Sequence, residues 1–210
     1  MSLGMDMGWR HRLVDALQIG PDDRVLDLGT GTADVALLEA ARGAAAVLGV
    51  DPSPNMLAVG REKVRAGGLG GVVTLEEGDA QALARLANAS FDKVSISFAI
   101  RNVPDRAAAL REMRRVVKAS PESRVVVMEF CEPEEGLLAP VARAFIQHAV
   151  PRIGALLSGK REEYLHLQRS IAAFPPPAEF AALMRSSGLD VLDVALLNFG
   201  SVALYTSRPV

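Results

Sequence analysis

Three apolar runs of the chain each end on a carboxylate, and a fourth is followed by a cation. The first, VLDLGTGTAD (residues 25–34), carries Asp27 ahead of Gly29 and Gly31, with Thr30 and Thr32 interleaved. Glycines at that spacing let the backbone turn sharply and come close to a ligand. The acid ahead of them accepts hydrogen bonds from an ammonium group, which suits a cofactor with an amino-acid tail better than one presenting a pyrophosphate. A dinucleotide loop would carry its third glycine where this chain has Asp34. Asp51 ends the second run, with Pro52 and Met56 following, and is placed to receive a ribose diol. Gly78-Asp79-Ala80 ends the third and suits an adenine edge. The ordered set describes a pocket for S-adenosylmethionine.

The fourth run lies in FDKVSISFAIRNVPDR (residues 91–106), where Ser97 stands at its end and Arg101 and Asn102 follow. Ligands of open α/β sheets sit beyond the carboxyl ends of the strands, so this end faces the methyl group. Arg101 is no general base, because a guanidinium does not deprotonate at accessible pH. It can stabilise an anion or orient a water that carries a proton away.

The elements that must position these residues alternate. Strands are expected at Arg24–Leu28, Ala45–Val50, Val72–Glu76, Val94–Phe98 and Arg124–Phe130. Helices are expected at Thr32–Ala41, Pro54–Val64, around Gln81–Ala87, and from Pro104 to Val117. Near-continuous apolar strands point to a parallel sheet covered on both faces. After it come apolar, helical Leu137–Leu157, interrupted by Pro140 and Pro151, then helices at Lys160–Ser170 and Ala178–Ser186. Leu189–Leu197 and Ser201–Ser207, joined by Asn198-Phe199-Gly200, read as a closing antiparallel hairpin.

The 210 residues suffice for one domain, spanning 1–210. Half are hydrophobic and mean hydropathy is +0.20, yet no run reaches the ~18 apolar residues of a membrane span. A net charge of −2 argues against a nucleic-acid partner. Cys131, the single cysteine, excludes an internal disulfide framework and reads as a small core residue. The stripe Arg111, Arg114, Arg115, Lys118 reads as a solvated face complementing a helix dipole. No metal-ligand pattern stands out.

DLGTGTAD, VDPSPNMLAVGREK, SFAIRNVPD, MEF and PRIGALLSGKREEYLHLQRSIAAFP closely resemble the ubiquinone/menaquinone biosynthesis C-methyltransferases across almost the whole chain. The resemblance implies a class I methyltransferase: an α/β, Rossmann-like, doubly wound and mostly parallel seven-stranded sheet with a C-terminal antiparallel hairpin. It implies S-adenosylmethionine as cofactor and C-methylation of a polyprenylated quinol, of benzoquinol or demethylmenaquinol type. Thr32, Asp51, Asp79, Ala80 and Ser97 match the family's cofactor contacts, and Arg101 and Asn102 its catalytic rim. Residues 137–175 would form a substrate-side helical insertion, with Phe145, His148, Arg152 and Tyr164 as candidate substrate residues and apolar Leu137–Leu157 as the wall for the prenyl tail; an ordinary packing helix pair is the alternative. A basic edge there would meet anionic lipid. Trp9 and Arg10 match the family, whereas its opening Tyr-Asp-x-Met-Asn element is absent. Ala33 stands for a glycine, a change that ordinary backbone dihedrals would tolerate.

The implied setting is a soluble protein at the cytoplasmic face of a bacterial membrane or the matrix side of the mitochondrial inner membrane. Peripheral membrane contact, a quinone-biosynthesis complex and a homodimer are the partners to expect besides substrate. The alternatives are a cofactor-binding scaffold subunit without turnover, or a class I methyltransferase for another small molecule. An amino-group nucleic-acid methyltransferase is disfavoured, since AIRNVP replaces the Asn/Asp-Pro-Pro-aromatic run.

Overall fold

The computed structural model describes residues 5–132 and 161–210. Its strands are β1 (Arg24–Leu28), β2 (Ala46–Asp51), β3 (Val73–Glu77), β4 (Lys93–Ser97), β5 (Arg124–Phe130), β6 (Leu189–Leu197) and β7 (Val202–Pro209). The helices are α1 (Met5–Leu17), α2 (Asp34–Ala41), α3 (Pro54–Ala66), α4 (Arg106–Val116), α5 (Arg161–Ala172) and α6 (Pro177–Ser186). One sheet holds all seven strands in the order β3-β2-β1-β4-β5-β7-β6. The first five are parallel, and β7 pairs antiparallel with both β5 and β6. The strand order reverses between β1 and β4, so a crevice opens at their carboxyl ends.

Alternation along β1 explains its composition. Leu26 and Leu28 enter one core with Leu110, Met113, Phe180 and Met184 from α4 and α6. Val25 enters the other, with Leu13, Leu17, Ala36 and Leu57 from α1, α2 and α3. Both faces are dry, so apolar residues run continuously. Asp27 shares the phase of Val25 and is 1% exposed, a carboxylate placed inside the α1–α2 core.

Several expectations need correction. Residues 81–87 form turns rather than a helix, because α4 side chains take up their backbone. Glu112 accepts from Leu83 N, and Arg115 donates to the carbonyls of Leu83 and Leu86. The basic stripe along and just past α4 is therefore not simply solvated: Arg114 also binds the Val210 carbonyl, and Lys118, beyond the helix end, lies 2.6 Å from Asp92. Helix α4 starts at Arg106 behind the N-cap Asp105, whose side chain accepts from Ala108 N, which leaves Pro104 outside. Helix α1 has no counterpart among the expected elements. Ala33 has φ 66°, so its backbone is left-handed rather than ordinary, a conformation costing an alanine roughly 1–2 kcal/mol. Cys131 is buried, as expected, with Sγ against the Gly200 carbonyl.

Candidate active site

The glycine loop after β1 is held open by backbone that only glycine adopts easily. Gly29 has φ +63°, and a Cβ there would lie 2.3 Å from Ala99 Cβ. Gly31 has φ +56°, and a Cβ would meet Met56 Cε at 2.9 Å. Thr30 N donates to the Val50 carbonyl, and Gly31 N donates to Asp51 Oδ2 at 2.9 Å. The other Asp51 oxygen accepts from Ser53 N at 2.8 Å. Asp51 thus ties the loop to the start of α3 while each oxygen keeps a lone pair for a hydroxyl.

Below the loop, Asp27 Oδ1 accepts from Ser95 Oγ at 3.1 Å, its register neighbour on β4. Its Oδ2 is buried and accepts no hydrogen bond among the described residues. Burial raises the Asp27 pKa from the usual 3.8 to about 6, against the pull of the Thr30 and Ser95 hydroxyls and of Arg10; Asp51 adds to the rise. A dry, unsatisfied acceptor beside a glycine cradle fits the ammonium end of S-adenosylmethionine.

At the mouth of α2, burial would raise Asp34, but Lys63 and Arg10 hold it below its ordinary value. Both bonds measure 2.6 Å, and Lys63 also donates to Thr32 Oγ1 at 2.9 Å. Thr32 is thereby fixed by α3, and the loop by α1. Toward β3, Pro52, Gly78 and Asp79 line a cavity of about 600 Å³ with Glu77, Leu83 and Leu86. Asp79 Oδ1 accepts from Gln81 N, and Ala80 packs against the adjoining core. Of the expected adenine-side residues Gly78 and Asp79 therefore line one cavity, while Thr32 lies in the glycine loop, Met56 in the first turn of α3 and Ser97 at the end of β4.

Arg101 and Asn102 lie in a 3-10 turn, Ile100–Asn102, just past β4. Phe98, with φ +54°, ends the strand and swings the chain into that turn. Arg101 Nη1 donates to Glu129 Oε1 at 2.8 Å and also to the Phe98 carbonyl. Glu129, at the end of β5 and 0% exposed, accepts from Arg101 N at 3.2 Å and Phe130 N at 2.8 Å. Burial raises its pKa while Arg101 and those two amides oppose the rise. The guanidinium stands over the Phe130 ring at 5.6 Å, within a cluster of Trp9, Phe98 and Phe130. Arg101 Nε is buried without a partner among the described residues, so a donor remains for a ligand. Asn102 is exposed.

Phe145, His148 and Arg152 lie outside the described residues, as do the 137–157 wall and the side chain of Tyr164. Sequence reasoning missed Glu129, Glu39 and Lys63 as members of the site. Glu129 sits in the MEF run already singled out, where a carboxylate inside an apolar strand was the available signal.

A seven-stranded sheet with an antiparallel β7, a glycine loop after β1 and acids ending β1 and β2 define an S-adenosylmethionine-dependent methyltransferase. The chain superposes on a SAM-dependent methyltransferase from Aquifex aeolicus with a TM-score of 0.66 at 16% identity, covering 96% of this chain and 89% of that one. It belongs to the ubiE/COQ5 methyltransferase family, whose model matches residues 1–208. It is 42% identical to the demethylmenaquinone methyltransferase of Thermus thermophilus, over 100% of this chain and 93% of that one. It is 38% identical to the ubiquinone/menaquinone biosynthesis C-methyltransferase UbiE of Geobacter sulfurreducens, over 99% and 80%. Among the described residues no helix is long and apolar enough to cross a membrane, and no cluster of potential metal ligands forms.

Proposed function

We propose that this enzyme methylates a ring carbon of a polyprenylated naphthoquinol of demethylmenaquinol type. The observation that supports transfer to a quinol ring carbon is Arg101, clamped by Glu129 just past β4 and keeping a buried donor. The cofactor supplies an electrophilic methyl group on a sulfonium. Asp27 would take its ammonium, Asp51 its ribose hydroxyls, and the Asp79 side of the cavity its adenine. Thr30, Thr32, Pro52, Met56, Gly78, Ala80 and Ser97 complete that wall.

At the acceptor, loss of a quinol hydroxyl proton pushes electron density onto the neighbouring ring carbon. With the cofactor bound, its sulfonium would give up the methyl group to that carbon, which would then shed its proton to restore aromaticity. Arg101 stabilises the phenolate through its remaining donors or orients the water that takes the proton, and Asn102 lies beside it. Glu129 fixes the guanidinium, and aromatic Trp9 and Phe98 keep that end dry. The naphthoquinol choice rests on the demethylmenaquinone methyltransferase relative. An isoprenoid tail also requires peripheral contact with a bilayer, and His148, Phe145, Arg152 and Tyr164 would receive substrate. Comparing kcat/KM for short-chain demethylnaphthoquinol and methoxybenzoquinol analogues under reducing conditions tests the choice. The naphthoquinol is expected to be the better substrate, and the reverse order would reject it.

A further inference from the structure

Glu39 on α2 is a fully buried acid that the methyl-transfer scheme leaves without a task. Ser95 Oγ lies 2.7 Å from Glu39 Oε1 and 3.1 Å from Asp27 Oδ1. Glu39 and Ser95 are 0% exposed. A serine hydroxyl carries one proton and can donate it to one carboxylate. The other contact is a hydrogen bond only if that carboxyl brings a proton of its own, so three oxygens in a row require one protonated acid.

The surroundings say which acid it is. Asp27 on β1 is buried as well, but the Thr30 hydroxyl and Arg10 from α1 favour its anion, against the like charge of Asp51 from β2. Glu39 faces Ser95 from β4 and the Asp27 carboxylate, with burial and that charge both favouring its neutral form. Its second oxygen, Oε2, is buried and accepts nothing among the described residues, which costs a neutral carbonyl far less than an anion.

We propose that Glu39 is a protonated positioning residue that donates to Ser95, which donates to Asp27 Oδ1, so that Asp27 stays the pair's only anion and presents Oδ2 to the cofactor's ammonium. The inference rests on the assignment of Asp27 to that ammonium. Glu39 pins the serine hydroxyl, and the shared proton keeps two acids in one dry core without two charges.

The test compares Glu39→Gln, Glu39→Leu, Ser95→Ala and Asp27→Asn. Affinity for S-adenosylmethionine is read by calorimetry between about pH 5 and about pH 8, and the carbonyl stretch of a protonated carboxylic acid by infrared spectroscopy of the cofactor-free protein. Gln carries a donor in place of the acid proton, so E39Q is expected to bind within about threefold of the parent. E39L and S95A lose roughly tenfold, and their affinity begins to fall at a higher pH than the parent's. The infrared band persists at neutral pH in D27N and disappears in E39Q. E39Q losing as much affinity as D27N, or a parent protein without the band, overturns the proposal. D27N binding the cofactor as well as the parent rejects instead the Asp27 assignment beneath it.

Discussion

Arg101 Nη1 lies 2.8 Å from Glu129 Oε1, an ion pair whose arginine side chain is 11% exposed and whose glutamate is 0% exposed. Burial makes the pair conditional. Each charge is tolerable only beside the other, and removing one partner of such a pair costs about 3–5 kcal/mol. The same contact holds the guanidinium at the strand end where transfer is proposed, so stability and turnover should depend on it together.

Arg101→Ala is expected to lower single-turnover methyl transfer about a hundredfold or more while changing S-adenosylmethionine affinity less than about threefold. Glu129→Gln should lower transfer in the same sense, and the double variant should be clearly less impaired than the two losses added. Rapid-quench kinetics and calorimetry on all three decide it. Equal losses of affinity and rate in Arg101→Ala would remove the arginine from the chemistry.

The Asp27 carboxyl gives a pH signature with a definite sign. Its folded pKa, raised to about 6 by burial, exceeds the usual 3.8. Between those values the folded state binds more protons than the unfolded chain, so this group's contribution to stability falls as pH rises through the window and stays low above it. Asp27→Asn should therefore stabilise the cofactor-free protein by about 1–3 kcal/mol near neutral pH, with the gain vanishing toward about pH 4. It should also abolish tight cofactor binding. Urea denaturation at both pH values checks the first part and calorimetry the second.

The two loop glycines should respond differently to alanine. At Gly29 the new Cβ meets the Cβ of Ala99, which has no flexible end to move aside, whereas at Gly31 it meets the terminal methyl of Met56. Gly29→Ala is expected to cost about 3 kcal/mol or more and to eliminate cofactor binding. Gly31→Ala should cost about 1–2 kcal/mol and weaken binding partially. Similar penalties at both positions, from denaturation and calorimetry, would mean the Ala99 contact does not control the loop.

Much of this site was legible because strand ends announce themselves. Asp51, Asp79 and Arg101 stand at or just past strand ends and Asp27 one residue before the end of β1, and the parallel topology sends all four toward one end of the sheet. What stayed hidden depends on partners distant in sequence. Glu39 reads as an ordinary helix-forming residue, and only packing of α2 over β1 and β4 puts it on Ser95. Residues 81–87 have helical composition, but Glu112 and Arg115 from α4 capture their backbone instead. An alanine at position 33 hides the left-handed backbone there, and the family's glycine at that position was the available sign. Helix α1 mixes polar residues with Leu13 and Leu17, which are buried only once they meet the sheet.

The destination of the transferred methyl group decides whether this chain methylates a quinol ring carbon. With S-adenosylmethionine labelled in its methyl carbon and a reduced short-chain demethylnaphthoquinol, nuclear magnetic resonance of the product should show the label bonded to a ring carbon. The Arg101→Ala variant should form that product far more slowly at saturating cofactor. Label on a quinol oxygen, or tight cofactor binding with no transfer to the reduced quinol, would contradict the account.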